Sequence, residues 1–174
     1  LTSRVTRERR AARETARASL LSRPHALAVV EISRWLALPE PAAQAEPLIA
    51  FAAQLIRKRH KRLVRDAHGF AGLSAAERHR LRIDVKRLRY SIDALESLFT
   101  GKRVERYVDI LIALQDGLGH ANDAVTAVRL LPKLEPPADF ATFARGWFGA
   151  KAAGDDAAFA GLIESLASTS HFWR

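Results

Sequence analysis

Residues 74–99 read SAAERHRLRIDVKRLRYSIDALESLF, and their periodicity decides the fold class. The stretch opens with a capping box. Ser74 is placed to accept a bond from the amide of Glu77, and Glu77 to reach back to the amide of Ser74. At 100° per residue, Leu81, Val85, Leu88, Ile92, Leu95 and Phe99 fall within about an 80° arc. His79, Arg82, Lys86 and Arg89, with Tyr90, fall on the opposite side. One side of the predicted helix is hydrocarbon and the other is almost purely cationic.

A solvated helix face usually mixes signs, because acid–base pairs one turn apart stabilise a helix and like charges repel at similar cost. Here Arg82 and Lys86 are like charges one turn apart, with His79 a turn earlier. The plain reading is a solvated face in an arginine-rich protein. The sharper one is a row of cations that meets a polyanion.

Working outward, the preceding segment repeats the design. A helix predicted from Pro47 to about His68 has Leu48, Ala52, Leu55, Ile56 and Leu63 on one side. Arg57, Lys61, Arg65 and His68 lie on the other, with His60 at the edge. The short turn Gly69–Leu73 makes the two helices antiparallel neighbours, so their cationic faces are expected to form one surface. Upstream, an Arg-rich helix runs from Leu1 to about Leu20. Ser22 then caps a second one, with Pro24 in its first turn, which stops before Pro39 and a linker to Glu46. Downstream, the predicted helices are Lys102–Leu118 and, after a break at Gly117 and Gly119 with a cap at Asn122 or Asp123, a further one to Leu134. Asp139 then caps a helix to Ala153, and Asp155 one to Ser168. No strand pattern is found. The expected fold is all-α, an antiparallel bundle of about six to eight helices in a single domain. Residues 1–20 form a lead-in helix and 21–174 the bundle.

Composition agrees. Hydrophobic content of 48% excludes a mainly disordered chain, no apolar run approaches the roughly 18 residues needed to span a bilayer, and zero cysteines exclude disulfides and thiolate metal sites. The chain opens at Leu1 in mid-pattern and has no methionine, so a portion upstream is expected. Between Arg57 and Tyr90 there are 12 Lys or Arg and 3 Asp or Glu, while the remaining residues hold 16 of each sign. That segment therefore carries +9, equal to the whole net charge. Residues 1–23 add a second basic stretch with 7 Arg against 2 Glu, balanced by acids elsewhere. Positive charge concentrated on two segments is the footprint of an anionic partner.

Catalytic chemistry finds little support. His60, His68 and His79 lie among cations and form no metal-ligand spacing with carboxylates. No cysteine, GxSxG or P-loop is present. LQDGLGHAND (114–123) offers Asp116, His120 and Asp123, but a structural reading is preferred: Asn122 or Asp123 caps a helix, the acids pair with arginines, and Gln115 bonds a neighbouring helix. No metal and no cofactor is expected.

HRLRIDVKRLRY (79–90), followed by LQDGLGHAND and the terminal Phe172-Trp173, resembles the CHAD family, the histidine-named α-helical domains associated with polyphosphate. The resemblance covers about Leu20 to Arg174. It implies two helical bundles facing each other across a positively lined channel, this chain supplying the second half and its lead-in. The first half's motif is not found, so the facing surface is expected from an upstream portion or from another copy of the chain. It implies non-catalytic binding of inorganic polyphosphate by a bacterial, cytoplasmic protein associated with polyphosphate granules, at times beside a triphosphate-processing domain. His79, Arg82, Lys86, Arg87 and Arg89 match the motif directly; Arg57, His60 and Lys61 match a looser basic lead-in.

The alternative is nucleic-acid binding through phosphates. Against it, Phe70 and Tyr90 are the only aromatics in the basic segment, and stacking platforms are accordingly scarce. A polyphosphate-processing enzyme would need a metal-binding carboxylate cluster, and acids are nearly absent there.

Overall fold

The computed structural model describes residues 2–38, 46–153 and 156–173, and these form seven α-helices with two short 3-10 turns and no strand. The helices are α1 (Thr2–Leu20), α2 (Arg23–Ala37), α3 (Leu48–Asp66), α4 (Ala75–Ala94), α5 (Lys102–Leu134), α6 (Ala138–Ala153) and α7 (Asp156–Ser168). The all-α helical class stands. The linker 39–45 and the expected stop and cap at Gly154 and Asp155 lie outside the described residues.

The chain divides into two units, one of residues 1–45 and 131–137, the other of 46–130 and 138–174. The division departs from the expected lead-in plus bundle, since α2 groups with α1. In the first unit Ser22 caps α2 by accepting from the amide of His25 at 3.4 Å. Arg4 of α1 pairs with the carboxylate of Glu135 and donates to its carbonyl at 3.1 Å. Neither α1 nor α2 has a buried residue.

The second unit has the core. Leu81, Val85, Leu88 and Ile92 of α4 pack with Ile56 and Leu63 of α3, Tyr107, Leu111, Leu114 and Leu118 of α5, and Phe159 and Leu166 of α7. The expected stripe on α4 is thus the buried one. Its last turn tightens to 3-10 over Glu96–Leu98, leaving Leu95 and Phe99 half-buried. On α3 the stripe is Ala52, Ile56, His60 and Leu63, and Leu48 is exposed. Gly69, with φ 68°, makes the left-handed turn out of α3 that a side chain would strain. The terminal Phe172 and Trp173 fold back onto Tyr107 in edge-to-face contacts at 5.4 and 5.3 Å, closing the core.

Two expected helices are one. α5 runs unbroken for 33 residues through Gly117, Gly119 and Asn122. Each helical glycine costs about 1 kcal/mol relative to alanine. Breaking the helix would cost more, because Leu114, Leu118 and Ala124 are buried on both sides of the glycines. Gly117 also has a packing reason. A Cβ there would meet the Phe159 ring at 2.6 Å, and that ring stacks on Phe70 at 5.0 Å between centroids.

Opposite outcomes follow for the two glycines. Gly119→Ala, with open space around it, should raise stability by up to about 1 kcal/mol. Gly117→Ala should lower it, since overpacking costs about 1–3 kcal/mol and outweighs the propensity gain. Urea denaturation of both variants reads this directly, and a stabilised Gly117→Ala would refute the packing.

His60 supplies a pH dependence. It is 6% exposed, with Nδ1 2.8 Å from the Tyr107 hydroxyl and Nε2 3.2 Å from Nε2 of His171. Burial, then the neighbouring His171, lowers its pKa from 6.5 to about 4. Between those values the unfolded chain takes up a proton that the folded chain refuses, so stability falls as pH drops from 6.5 towards 4 and is fully present above. His60→Gln should be less stable at pH 7 but lose less on acidification through this window. Equal slopes in urea titrations would dismiss the linkage.

Candidate functional site

α4 lies between α3 and α5. Contacts of residues 59 and 62 with 87 and 84, and of 79 and 89 with 122 and 115, run in opposite chain directions. Both neighbours are therefore antiparallel to α4. Its capping box forms as expected, with Ser74 N donating to Glu77 at 2.8 Å and Glu77 N to the Ser74 hydroxyl at 3.3 Å. The Ser74 hydroxyl and amide, donating to the Glu77 carboxylate at 2.6 and 2.8 Å, hold it below its ordinary range.

On the α5 side, His79, Arg82, Lys86 and Arg89 form a row spanning about 15 Å at 1.5 Å per residue. His79 Nδ1 lies 2.9 Å from Asn122 Oδ1, and Arg89 Nε donates to Gln115 Oε1 at 3.0 Å. The two α5 groups are amides, which orient a cation without neutralising it. Gln115 thus does bond a neighbouring helix, and Asn122 serves as a partner of His79 rather than as a helix cap. Arg89 also reaches Asp93 at 3.0 Å and stacks over Tyr90. Arg82 and Lys86 are half-buried, and among the described residues neither has an ion-pair partner. Arg82 Nε is buried with no hydrogen-bond partner, an arrangement that costs free energy unless something else accepts from it.

The α3 side differs. Asp84, 9% exposed, lies 3.3 Å from Arg62 and 3.6 Å from Arg87. Arg59 donates to the Arg87 carbonyl at 2.6 Å and to the Ser91 hydroxyl. Lys58, Arg59, Arg62 and Arg87 line a cleft of about 280 Å3 around Asp84.

Three expectations change here. Arg57 and Lys61 are exposed, but lie about 140° and 100° round α3 from Arg62, on the side turned away from α4. The cations that α3 brings to α4 are Lys58, Arg59 and Arg62. His60 is not on the edge of a basic face; its ring lies in the core with Trp173 and Tyr107, because its position continues the Ile56–Leu63 stripe.

A comparison with known families gives one match, the CHAD domain, over residues 1–132. The chain belongs to the CHAD domain family. No curated protein and no solved structure matches the chain. The family match begins before Leu20, where the motif resemblance was set, and takes in α1; it ends before α6, α7 and the terminal Phe172-Trp173. The motif of this CHAD chain thus divides between two neighbours. His79, Arg82, Lys86 and Arg89 turn to α5, and Arg87 turns to α3.

Asp116, His120 and Asp123 share the exposed face of α5. Among the described residues no group of three His, Asp or Glu is placed to hold a metal. Lys58, Arg59, Arg62 and Asp84 went unread in sequence. The available signal was Asp84 itself, a single acid within HRLRIDVKRLRY.

Asp84→Asn should lower the melting temperature by leaving Arg62 and Arg87 opposed, and added salt should recover part of the loss by screening. A loss indifferent to salt would mean that shape, not charge, is what Asp84 supplies.

Proposed function

We propose that the chain binds inorganic polyphosphate along the row His79, Arg82, Lys86 and Arg89, with Arg87 at its border, and does so without turning it over. One observation carries the reading: the row is oriented from α5 by Asn122 and Gln115, and among the described residues the buried Nε of Arg82 has no acceptor. A linear polyanion supplies what that row lacks, an acceptor for the Arg82 guanidinium and a counter-charge for Lys86. His79 holds Asn122 through Nδ1, so its Nε2 donates to a phosphate oxygen once the ring is protonated. Family membership supports the same ligand and a binding rather than catalytic role. Arg57 and Lys61 belong to the outer margin of the surface at most, and His60 supports it only through the core. A facing basic surface, from a second CHAD half or a second copy of the chain, fits this reading, as does a cytoplasmic place beside polyphosphate granules. Among the described residues no helix is long and apolar enough to cross a membrane.

Labelled polyphosphate challenged with single-stranded DNA, duplex DNA and heparin at fixed salt tests the ligand. Polyphosphate should resist displacement by DNA, and log affinity should fall linearly with log salt with a slope of several contacts. Arg82→Ala with Lys86→Ala should weaken binding about tenfold or more, the equivalent of one charge-assisted contact, with the melting temperature unchanged or raised. Arg57→Ala with Lys61→Ala should weaken it less. Duplex DNA displacing polyphosphate at equal phosphate concentration would favour the nucleic-acid reading instead.

A further inference from the structure

A second cationic cluster lies away from the motif, where α5 begins. Lys102, Arg103 and Arg106 line a cavity of about 370 Å3 with Ser168, Thr169 and Ser170 from the end of α7. Among the described residues no carboxylate lines it. Among the described residues none of the three cations has an ion-pair partner. The spacings 102–106 and 103–106 place like charges one turn apart, where they repel. Arg106 is nine residues from Gln115, which puts it on the opposite side of α5 and about 13 Å along it. This cluster is not an extension of the α4–α5 row.

The surroundings favour an anion further. The cavity sits at the amino end of a 33-residue helix, whose first amides have no partner within the helix. Gly101, at φ 102°, turns its carbonyl to the amides of Val104 and Glu105 at 3.0 and 3.4 Å, leaving those of Lys102 and Arg103 at the end of the helix. On the other wall the Ser168 hydroxyl donates to the Glu164 carbonyl at 2.9 Å, and that of Thr169 to the Ser165 carbonyl. Their oxygens keep lone pairs, which suit a phosphate that still carries a proton. The space is far above the roughly 15 Å3 that one water requires.

We propose that this cavity is a second anion site, which takes a single phosphate group, either free orthophosphate or the end of a phosphate chain. Guanidinium forks of Arg103 and Arg106 and the Lys102 ammonium supply the charge, and the hydroxyls accept from a protonated phosphate oxygen. The competing account is that the three cations only offset the carboxyl end of α7, where positive charge is favourable in itself.

Amide shifts of the full, isotope-labelled chain separate the two. Orthophosphate, and separately tripolyphosphate, is titrated at low ionic strength. Saturable shifts are expected at Lys102, Arg103 and Ser168–Ser170, lost in Arg103→Ala/Arg106→Ala and retained in Lys86→Ala. A response to orthophosphate assigns the site to free phosphate, and a response to tripolyphosphate alone assigns it to a chain end. If the double variant fails to fold, Ser170→Asp, which adds a carboxylate to the cavity, should abolish the shifts in a folded chain. No saturable shift with either probe overturns the proposal, as does a shift that survives these substitutions. A double variant of lower melting temperature in a chain that never responded to phosphate would leave the cations as the α7 counter-charge.

Discussion

One buried carboxylate sets the terms on which two cationic helices lie side by side. α3 brings Lys58, Arg59 and Arg62 to the flank of α4 that carries Arg87. Among the described residues the acids that meet them are Asp84 and, on α3 itself, Asp66 at 3.5 Å from Arg62. At an effective dielectric near 20, unit charges 4 Å apart interact by about 4 kcal/mol, a large part of a typical stability margin of about 5–15 kcal/mol. Arg62 and Arg87 have side chains more than half exposed, so solvent reduces each pair to about 1 kcal/mol or less. The sign then matters more than the size, because Asp84 replaces a repulsion across the seam with two attractions. Arg59 adds bonds to a backbone carbonyl and to Ser91, which turns another cation into a tie between the helices.

The other flank of α4 is handled in the opposite way. α5 meets His79 and Arg89 with Asn122 and Gln115. An amide fixes the direction of a side chain while leaving its charge available to a ligand; a carboxylate would fix the direction and cancel the charge. One helix thereby has a partly neutralised flank for assembly and, at Arg82 and Lys86, a charged flank for binding, Arg89 being offset by Asp93. Its apolar stripe, Leu81 to Ile92, keeps both in register with the core.

How far this could be read from residues follows from what each signal depends on. The stripes of α4 and the capping box at Ser74 are local, and a helical repeat of 100° places them without knowledge of any neighbour. The side of α3 that meets α4 is not local. It depends on the direction in which the turn at Gly69 sends the chain, which decides that Lys58, Arg59 and Arg62, and not Arg57 and Lys61, meet α4. His60 sat at the edge of the expected faces, where a small rotation decides between solvent and core. Gly117 and Gly119 read as a break because propensity is counted residue by residue, whereas Phe159, 42 residues on from Gly117, occupies the space that makes one of them necessary. The terminal Phe172-Trp173 was legible as a motif but not as the closure over Tyr107 that it forms.

Charge alone also fails to separate cations that build from cations that bind, and Arg78 and Arg82 make the difference concrete. They stand one turn apart on α4, Arg78 just ahead of the motif and Arg82 within it. Arg78, with a side chain 18% exposed, directs Nε at the Leu73 carbonyl, Nη1 at Ala153 and Asp156, and Nη2 at Ala71 and Asp156. It also lies 4.5 Å over the Phe70 ring and holds the Asp156 carboxyl below its ordinary range. A guanidinium has five N–H donors, and those of Arg78 are all committed within the fold, where they tie the turn after α3 to the start of α7. Among the described residues nothing accepts from the buried Nε of Arg82. The number of donors already spent, rather than the charge carried, is what divides the two, and by that measure Arg82 is the residue of the motif that an incoming phosphate completes.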